Sequence, residues 1–294
     1  MTKNILITGT KGFLGSNLVK LAKADKFNVT NFDPHTEFWD AEKYEQHFTK
    51  TTLSNQYDAV VHLGAIASTR VENEDLLYGF NTHAVEIISK YCVTNNTPLI
   101  FISSSAVYGT EQGAVSMYSK TKQDAENILN QTPGLKFTIF RLFNSFGFNE
   151  IPKKEMKSVV SDMVISAILS KKIMIWQFSE IPFGEQSRDF IYIEDVCNTI
   201  LSVILNRWFC CETYDLGSGK SHKFIDLAKN IAGQLHEVDI IPIVPPENYN
   251  KANYQFYTKA KMDWLNSSPI LHPTNDLNKI IPTLIIQYQK TLRQ

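Results

Sequence analysis

The stretch "NILITGTKGFLG", residues 4–15, decides the fold. Its apolar run ends in glycine, the mark of a strand buried on both faces, as in a parallel sheet. Glycines follow at 9, 12 and 15, and Phe13, Leu14, Leu18, Val19 and Leu21 then recur at helical spacing. In a strand–turn–helix of this kind, Gly9 permits the tight turn and Gly12 lets backbone approach a pyrophosphate. Gly15 lets helix and strand pack closely. The helix N-terminus adds amide donors and a partial positive charge. The stretch therefore predicts a dinucleotide site whose backbone wall is Gly9, Gly12, Phe13, Leu14 and Gly15.

Working outward, the strand signal repeats in "FNVTNFD" (27–33), "DAVVHLG" (58–64), "PLIFISS" (98–104) and "KFTIFRLF" (136–143). Helical stretches around 81–95 and 116–130 separate the later strands. Strands alternating with helices imply right-handed crossovers and an α/β fold, a Rossmann-type doubly wound parallel sheet. From about residue 150 the rhythm changes. "KSVVSDMVISAILSKK" (157–172) reads as a helix, followed by a strand-like "IMIWQF" and then "SRDFIYIEDV" (187–196). The stretch "YDLGSGKSHKFIDLAKNIA" returns to strand, glycine turn and helix, and a proline-bearing tail reads as loop-rich. The expected division is a dinucleotide-binding domain over 1–150, with segments near 187–220 returning to it. Residues 151–294 form a smaller, partly intertwined C-terminal substrate-binding lobe.

Asp33 ends the second strand, 18 residues after Gly15. A carboxylate there accepts from a ribose 2′-hydroxyl and repels a 2′-phosphate. No arginine follows it in "DPHTEF", so NAD is favoured and NADP stays open. A turn aspartate before Pro34 is equally compatible with the local sequence. Asp40, after the third strand-like region, is a candidate for the adenine amino group. His62 reads as a strand-end histidine, not a base.

The composition excludes several classes. The 294 residues are 43% apolar and 20% charged, with a net charge of −1, so no bulk field recruits nucleic acid or anionic membrane. The start "MTKNILITG" has no signal-peptide h-region, and no apolar run approaches a membrane span. Cys92, Cys197, Cys210 and Cys211 show no C-x-x-C spacing and suggest free thiols in a cytoplasmic setting. The seven histidines have no metal-ligand spacing, and no metal is expected.

"MYSKTKQDAENIL" (117–129) places Tyr118 and Lys122 one helical turn apart. Alone, that spacing is common in solvated helices. It gains weight from "SSSAVYG" (103–109), which follows a strand at the ligand-binding edge of such a sheet. With these stretches the chain resembles the extended short-chain dehydrogenase/reductase family, the nucleotide-sugar epimerases and dehydratases. The resemblance spans nearly the whole chain and rests on "TGTKGFLG", "VVHLGAIAS", "SSSAVYG", "YSKTKQDAE", "FRLFNSFG", "SRDFIYIEDV" and "YDLGSGK".

The resemblance implies a dyad of Tyr118 and Lys122, with Ser104 as catalytic hydroxyl and Ser103 and Ser105 as competitors. A phenol is a poor base at neutral pH, and the Lys122 ammonium is expected to favour its phenolate. Further cofactor contacts are implied at Leu63, Gly64, Ala65 and Asn81, and Lys122 would also hold the nicotinamide ribose. Substrate contacts are implied at Ser68, at Asn144 as an orienting amide, and at Arg188 for the diphosphate. An ion pair of Arg188 with Asp189 or Glu185 is the competing reading.

Dehydratases of this family carry adjacent acids where this chain has Ser105 and Ala106, which argues against a 4,6-dehydratase. The C-terminal half, including "NYQFYTKAKM", looks most like the ADP-glycero-manno-heptose 6-epimerase branch. There the matching second acid/base is Lys153, with Lys154 as alternative. Only 14 residues separate Ser104 from Tyr118, fewer than extended members usually have. The implied activity is NAD(P)-dependent epimerisation of a nucleotide-activated sugar, such as a heptose, through a transient keto intermediate. Alternatives are a reductase or dehydrogenase of the same family, or a non-catalytic dinucleotide-binding protein. The family also implies a homodimer built on the helices near 81–95 and 116–130, and bacterial surface polysaccharide synthesis as the setting.

Overall fold

The structure is a computed structural model that describes residues 2–34, 39–53, 55–67, 73–109, 116–246, 254–274 and 276–293. The chain divides into two compact units. Unit 1 comprises residues 1–142, 197–215 and 263–271; unit 2 comprises 143–196, 216–262 and 272–294.

Unit 1 is built on strands β1 (Asn4–Thr8), β2 (Asn28–Phe32), β3 (Ala59–His62), β4 (Leu99–Ser104), β5 (Phe137–Leu142) and, after a long excursion, β9 (Glu212–Leu216). They form one parallel sheet in the order β2-β1-β3-β4-β5-β9. The order reverses at β1, where the chain runs out to β2 and comes back to β3. Thr8 pairs with Phe32 on one side and with His62 on the other. The crevice at the carboxyl ends of β1 and β3 is thus the topological switch point, where open α/β sheets bind ligands.

Helices α1 (Phe13–Ala24), α2 (Ala41–Thr52), α3 (Glu74–Tyr78), α4 (Ala84–Thr94) and α5 (Met117–Gln131) connect these strands. One core cluster joins Leu6, Val60, Phe101 and Ile139 of the sheet to Phe48 of α2, Val85 and Ile88 of α4, and Leu129 of α5. Helix α2 was not legible in the sequence. Its "AEKYEQHFTKTT" is largely polar, and only Tyr44, Phe48 and Thr52, four residues apart, turn inward. Asp40 caps it.

Unit 2 contains β6 (Asn144–Phe146), β8 (Ser187–Tyr192) and β10 (Ser221–Lys223), in the order β10-β8-β6. A parallel pair joins β7 (Lys172–Trp176) to β11 (Asp239–Ile243). Helices α6 (Val159–Ser170), α8 (Phe224–Ala232) and α9 (Leu277–Leu292) pack in its own core, and within α7 (Ile193–Asn206) the chain passes from unit 2 to unit 1.

These boundaries differ from the sequence expectation in three ways. The first break falls after Leu142, not after 150. Of the segment 187–220, only 197–215 belongs to unit 1, because β8 pairs with β6 and β10. The stretch 263–271 also belongs to unit 1, and nothing in its composition indicated this.

The tail is not loop throughout. Helix α9 runs for 16 residues with Pro282 inside it. A proline in a helix interior costs about 3 kcal/mol. Burial of Leu277, Ile281, Leu284, Ile285 and Tyr288 along one stripe offsets that cost. The Tyr288 hydroxyl donates to the Gly147 carbonyl at 3.0 Å, so its polar tip is also satisfied. No helix among the described residues is long and apolar enough to cross a membrane.

Candidate active site

The glycine turn is built by close contact. Gly9 has φ +71°, and a Cβ there would stand 2.7 Å from Gly64 Cα. A Cβ on Gly15 would stand 2.1 Å from the Gly9 carbonyl oxygen. Both positions therefore require glycine, Gly9 for conformation and Gly15 for space. A cleft of about 270 Å³ opens beside the turn, and its wall includes Gly9, Gly12, Asp33, Leu63, Gly64 and Ala65. Six of the expected cofactor residues thus share one cavity. Phe13 and Leu14 are half-buried in the first turn of α1.

Thr8 organises the cleft floor, and sequence reading missed it. Its Oγ1 accepts from the backbone N–H of Leu63 (3.2 Å) and Gly64 (3.0 Å) and lies 2.6 Å from His62 Nδ1. With both acceptor sites used, Thr8 donates its own proton to Nδ1, which places the ring proton of neutral His62 on Nε2. His62 is buried and stacked on Phe101, and Nε2 has no partner among the described residues. Burial, helped by Lys122, drives its pKa down to about 3. A histidine held neutral in this way is a structural group.

The Asp33 carboxylate accepts from the Lys11 N–H and, at 3.5 Å, from Thr10 Oγ1, both through Oδ2. It therefore braces the glycine turn as well as lining the cleft. Asp40 follows β2, not a third strand; its carboxylate accepts from the Lys43 N–H as the cap of α2. Asn81 is fully buried in a π-helical turn, Gly79–His83. Its amide spans Ile66 N and O and the Thr121 hydroxyl, clamping the loop after β3 to α5.

Ser104 ends β4, caps the following 3₁₀ turn by accepting from the Ala106 N–H, and lies close enough to Tyr118 to oppose the rise of its pKa. Helix α5 starts with Ser116 as its cap, which puts Tyr118 in the first turn. Ser103, one residue earlier and buried, donates to Glu126 at 2.5 Å. Different partners along α5 thus separate two serines that sequence left in competition: Ser104 is the one beside the tyrosine.

The Lys122 ammonium is engaged by β4. Burial raises the Tyr118 pKa, and the Ser104 hydrogen bond is what opposes it. The Lys122 Nζ instead donates to the Ile102 carbonyl at 2.7 Å and sits 4.4 Å above the Phe101 ring. Its own pKa is lowered to about 7, chiefly by burial, against the raising pull of Glu126.

An unfolded lysine titrates near 10.4, so between that value and 7 the unfolded chain binds more protons and stability rises with pH. Below pH 7 the full cost of burying the ammonium is present. In the cofactor-free chain, Lys122→Met is expected to raise Tm by several degrees at pH 6. The gap closes as pH climbs toward 10, as thermal melts across pH will show.

The remaining expected residues lie in unit 2. Asn144 donates to the Asp189 carbonyl (3.2 Å) and to Thr258 Oγ1 (3.3 Å). Arg188 donates to the Ser187 carbonyl and stacks on Tyr254 at 4.8 Å. Of the two acids expected as its partners, Glu185 pairs with Lys223, and Asp189 accepts from Ser218 N and Oγ, Gly219 N and Ala260 N.

Lys153 pairs with the fully buried Glu150 at 2.8 Å, whereas Lys154 is exposed. Glu150 also takes the Gly147 N–H and the hydroxyls of Ser158 and Ser161. Neither Glu150 nor Asp189 was singled out from sequence. Acids beside glycine and serine turns look solvated until their donors are seen. Ser68 lies outside the described residues.

The residues around the cleft fit a nicotinamide dinucleotide: an open turn that only glycine can form, a carboxylate at the end of β2, and no side chain at Gly12. The sequence model of the NAD dependent epimerase/dehydratase family matches residues 5–217. An ADP-L-glycero-D-manno-heptose-6-epimerase of Fusobacterium nucleatum is 24% identical, over 89% of this chain and 90% of its own. The crystal structure of the Helicobacter pylori enzyme of that name superposes with a TM-score of 0.83 at 20% identity, covering 98% of this chain and 96% of that one. A UDP-N-acetylglucosamine 4-epimerase from Methanobrevibacter ruminantium, in complex with UDP-N-acetylmuramic acid, gives 0.80 at 24% identity, with 99% of each chain covered.

Proposed function

This chain belongs to the NAD dependent epimerase/dehydratase family, and from that premise we propose that it epimerises a nucleotide-activated sugar, such as a heptose, by transient oxidation of one carbinol carbon and re-reduction. The observation that carries the reading is the placement of Tyr118 beside Ser104, with Lys122 one turn along the same helix. The two hydroxyls meet at the carboxyl edge of the sheet that carries the glycine cleft.

Bound in that cleft, NAD would supply the hydride acceptor. Tyr118 takes the proton of the sugar hydroxyl at Oη and returns it later. Ser104 Oγ shares a hydrogen bond with the same oxygen and holds the reacting hydroxyl in line. Lys122 offers three N–H donors, of which Ile102 takes one, leaving two for ribose hydroxyls. Asn144, Arg188 and Lys153 are assigned to the sugar nucleotide, Lys153 as second acid/base. A homodimer on α4 and α5 completes the proposal.

One observation favours the alternative, a reductase that needs Tyr118 alone. Lys153 is tied to a buried carboxylate and so is less free to act as a second base. Incubation with NAD and a panel of nucleotide sugars separates the two. Epimerisation gives an isomer with no net change in nicotinamide absorbance; a reductase consumes reduced cofactor stoichiometrically.

Asp33→Ser is expected to shift the NAD:NADP affinity ratio at least ~10-fold toward NADP, because it removes both the ribose acceptor and the repulsion of a 2′-phosphate. Titration of each dinucleotide against the variant checks this.

A further inference from the structure

The stripe of α5 that carries Tyr118 and Lys122 carries a third chemical residue, Glu126, four positions on. It is 3% exposed. Its Oε1 accepts from Ser103 Oγ and, at 3.1 Å, from Arg141 Nε, while Oε2 takes Arg141 Nη2 at 2.7 Å. The Arg141 guanidinium lies 4.7 Å from the Tyr108 ring centre, and the Tyr108 hydroxyl donates to Asp215 at 2.6 Å. Ser103 immediately precedes Ser104, and Tyr108 ends the 3₁₀ turn that Ser104 caps. Glu126 is therefore connected to the chain on both sides of the catalytic serine.

A solvated helix acid would make none of these contacts, and exposed ion pairs hold little in place. A bidentate buried pair is different: its geometry is fixed, and removing one partner strands the other.

We propose that Glu126 is a positioning residue: by gripping Ser103 and Arg141 it fixes α5 on β4, and with it the approach of Tyr118 to Ser104, while keeping an anion beside Lys122. The inference rests on the acid/base reading of Ser104, Tyr118 and Lys122.

The surroundings of Lys122 leave this role to Glu126. Facing the ammonium are Glu126 from α5, His62 from β3, and the Ile102 carbonyl and Phe101 ring from β4. His62 is neutral, and burial keeps Tyr118 protonated near neutral pH. Arg141 on β5 is engaged by Glu126 itself. Among the described residues, the charge that favours the Lys122 ammonium is Glu126.

The test is an NMR titration of isotopically labelled lysine side chains in the cofactor-free full chain, the Lys122 signal being assigned by its loss in Lys122→Met. Glu126→Gln keeps an acceptor for Ser103 and removes the charge. Its Lys122 midpoint is expected to fall by about one pH unit, with kcat down at least ~10-fold and KM little changed. Ser103→Ala, which leaves the charge in place, keeps the midpoint.

An unmoved midpoint in Glu126→Gln overturns the proposal, because a merely structural acid would lower Tm and leave Lys122 where it was. Should that variant not fold, Glu126→Gln/Arg141→Gln avoids the stranded guanidinium. The same fall is expected there, and its absence again overturns the proposal. The midpoint is read without substrate, so a shifted midpoint in a chain that epimerises no nucleotide sugar counts against the proposed reaction and leaves the role of Glu126 standing.

Discussion

Tyr118→Phe is expected to lose at least ~100-fold in turnover, the usual scale of a positioned acid/base, while binding NAD as tightly as the unaltered chain. Phenylalanine preserves the ring, its half-buried place in the first turn of α5 and the cap at Ser116, and removes only the oxygen that Ser104 contacts. Cofactor affinity rests on the cleft beside Gly9, Gly12 and Asp33, which the substitution does not touch. The fall should therefore appear in kcat and kcat/KM alike. A raised Tyr118 pKa also places the wild-type proton-accepting step on a rising alkaline limb, because burial favours the neutral phenol. Steady-state kinetics beside dinucleotide titration checks both parts, and near-normal turnover in the variant would sink the mechanism.

Gly15→Ala is expected to be the most damaging small substitution in the chain. The added Cβ would lie 2.1 Å from the Gly9 carbonyl oxygen and 2.8 Å from Thr10 Cα, both backbone atoms that cannot swing aside. Relief requires α1 to retreat from the turn, and that opens the contact between Gly9 and Gly64 which forms the cleft. Overpacking against backbone costs about 3 kcal/mol or more, so the variant should melt many degrees lower and lose dinucleotide binding together with stability. Gly12→Ala makes a useful comparison. Its Cβ meets only the Gly9 carbonyl oxygen, at 3.3 Å, so the folded chain should survive with binding impaired. Thermal melts and dinucleotide titrations of the pair separate packing from approach.

Much of unit 1 was legible because its signals are local. The apolar run of β1, the glycine spacing and the aspartate at the end of β2 each report a constraint confined to a few residues. What was not legible depends on partners far along the chain. Helix α2 hides its inward stripe in a polar composition, and α9 tolerates Pro282 because unit 2 buries its apolar face. The same holds in the site. Ser104 could be told from Ser103 only when their partners along α5 were seen, Tyr118 for one and Glu126 for the other. The buried acids Glu126, Glu150 and Asp189 are unremarkable as letters; their donors come from residues 3 to 71 positions away. The resting place of Lys122 likewise depends on partners far along the chain. Spacing puts tyrosine and lysine on one face, but the Ile102 carbonyl and Phe101 ring decide where the ammonium rests.

The most direct test of the account is to purify the chain without added cofactor, denature it, and identify and quantify any released dinucleotide by chromatography with mass detection. A self-recycling epimerase selected for NAD by Asp33 retains its cofactor, and near-stoichiometric NAD is the predicted result. Release of NADP, or an empty chain that takes up NADPH in preference to NAD, would contradict the account and put a reductase in its place.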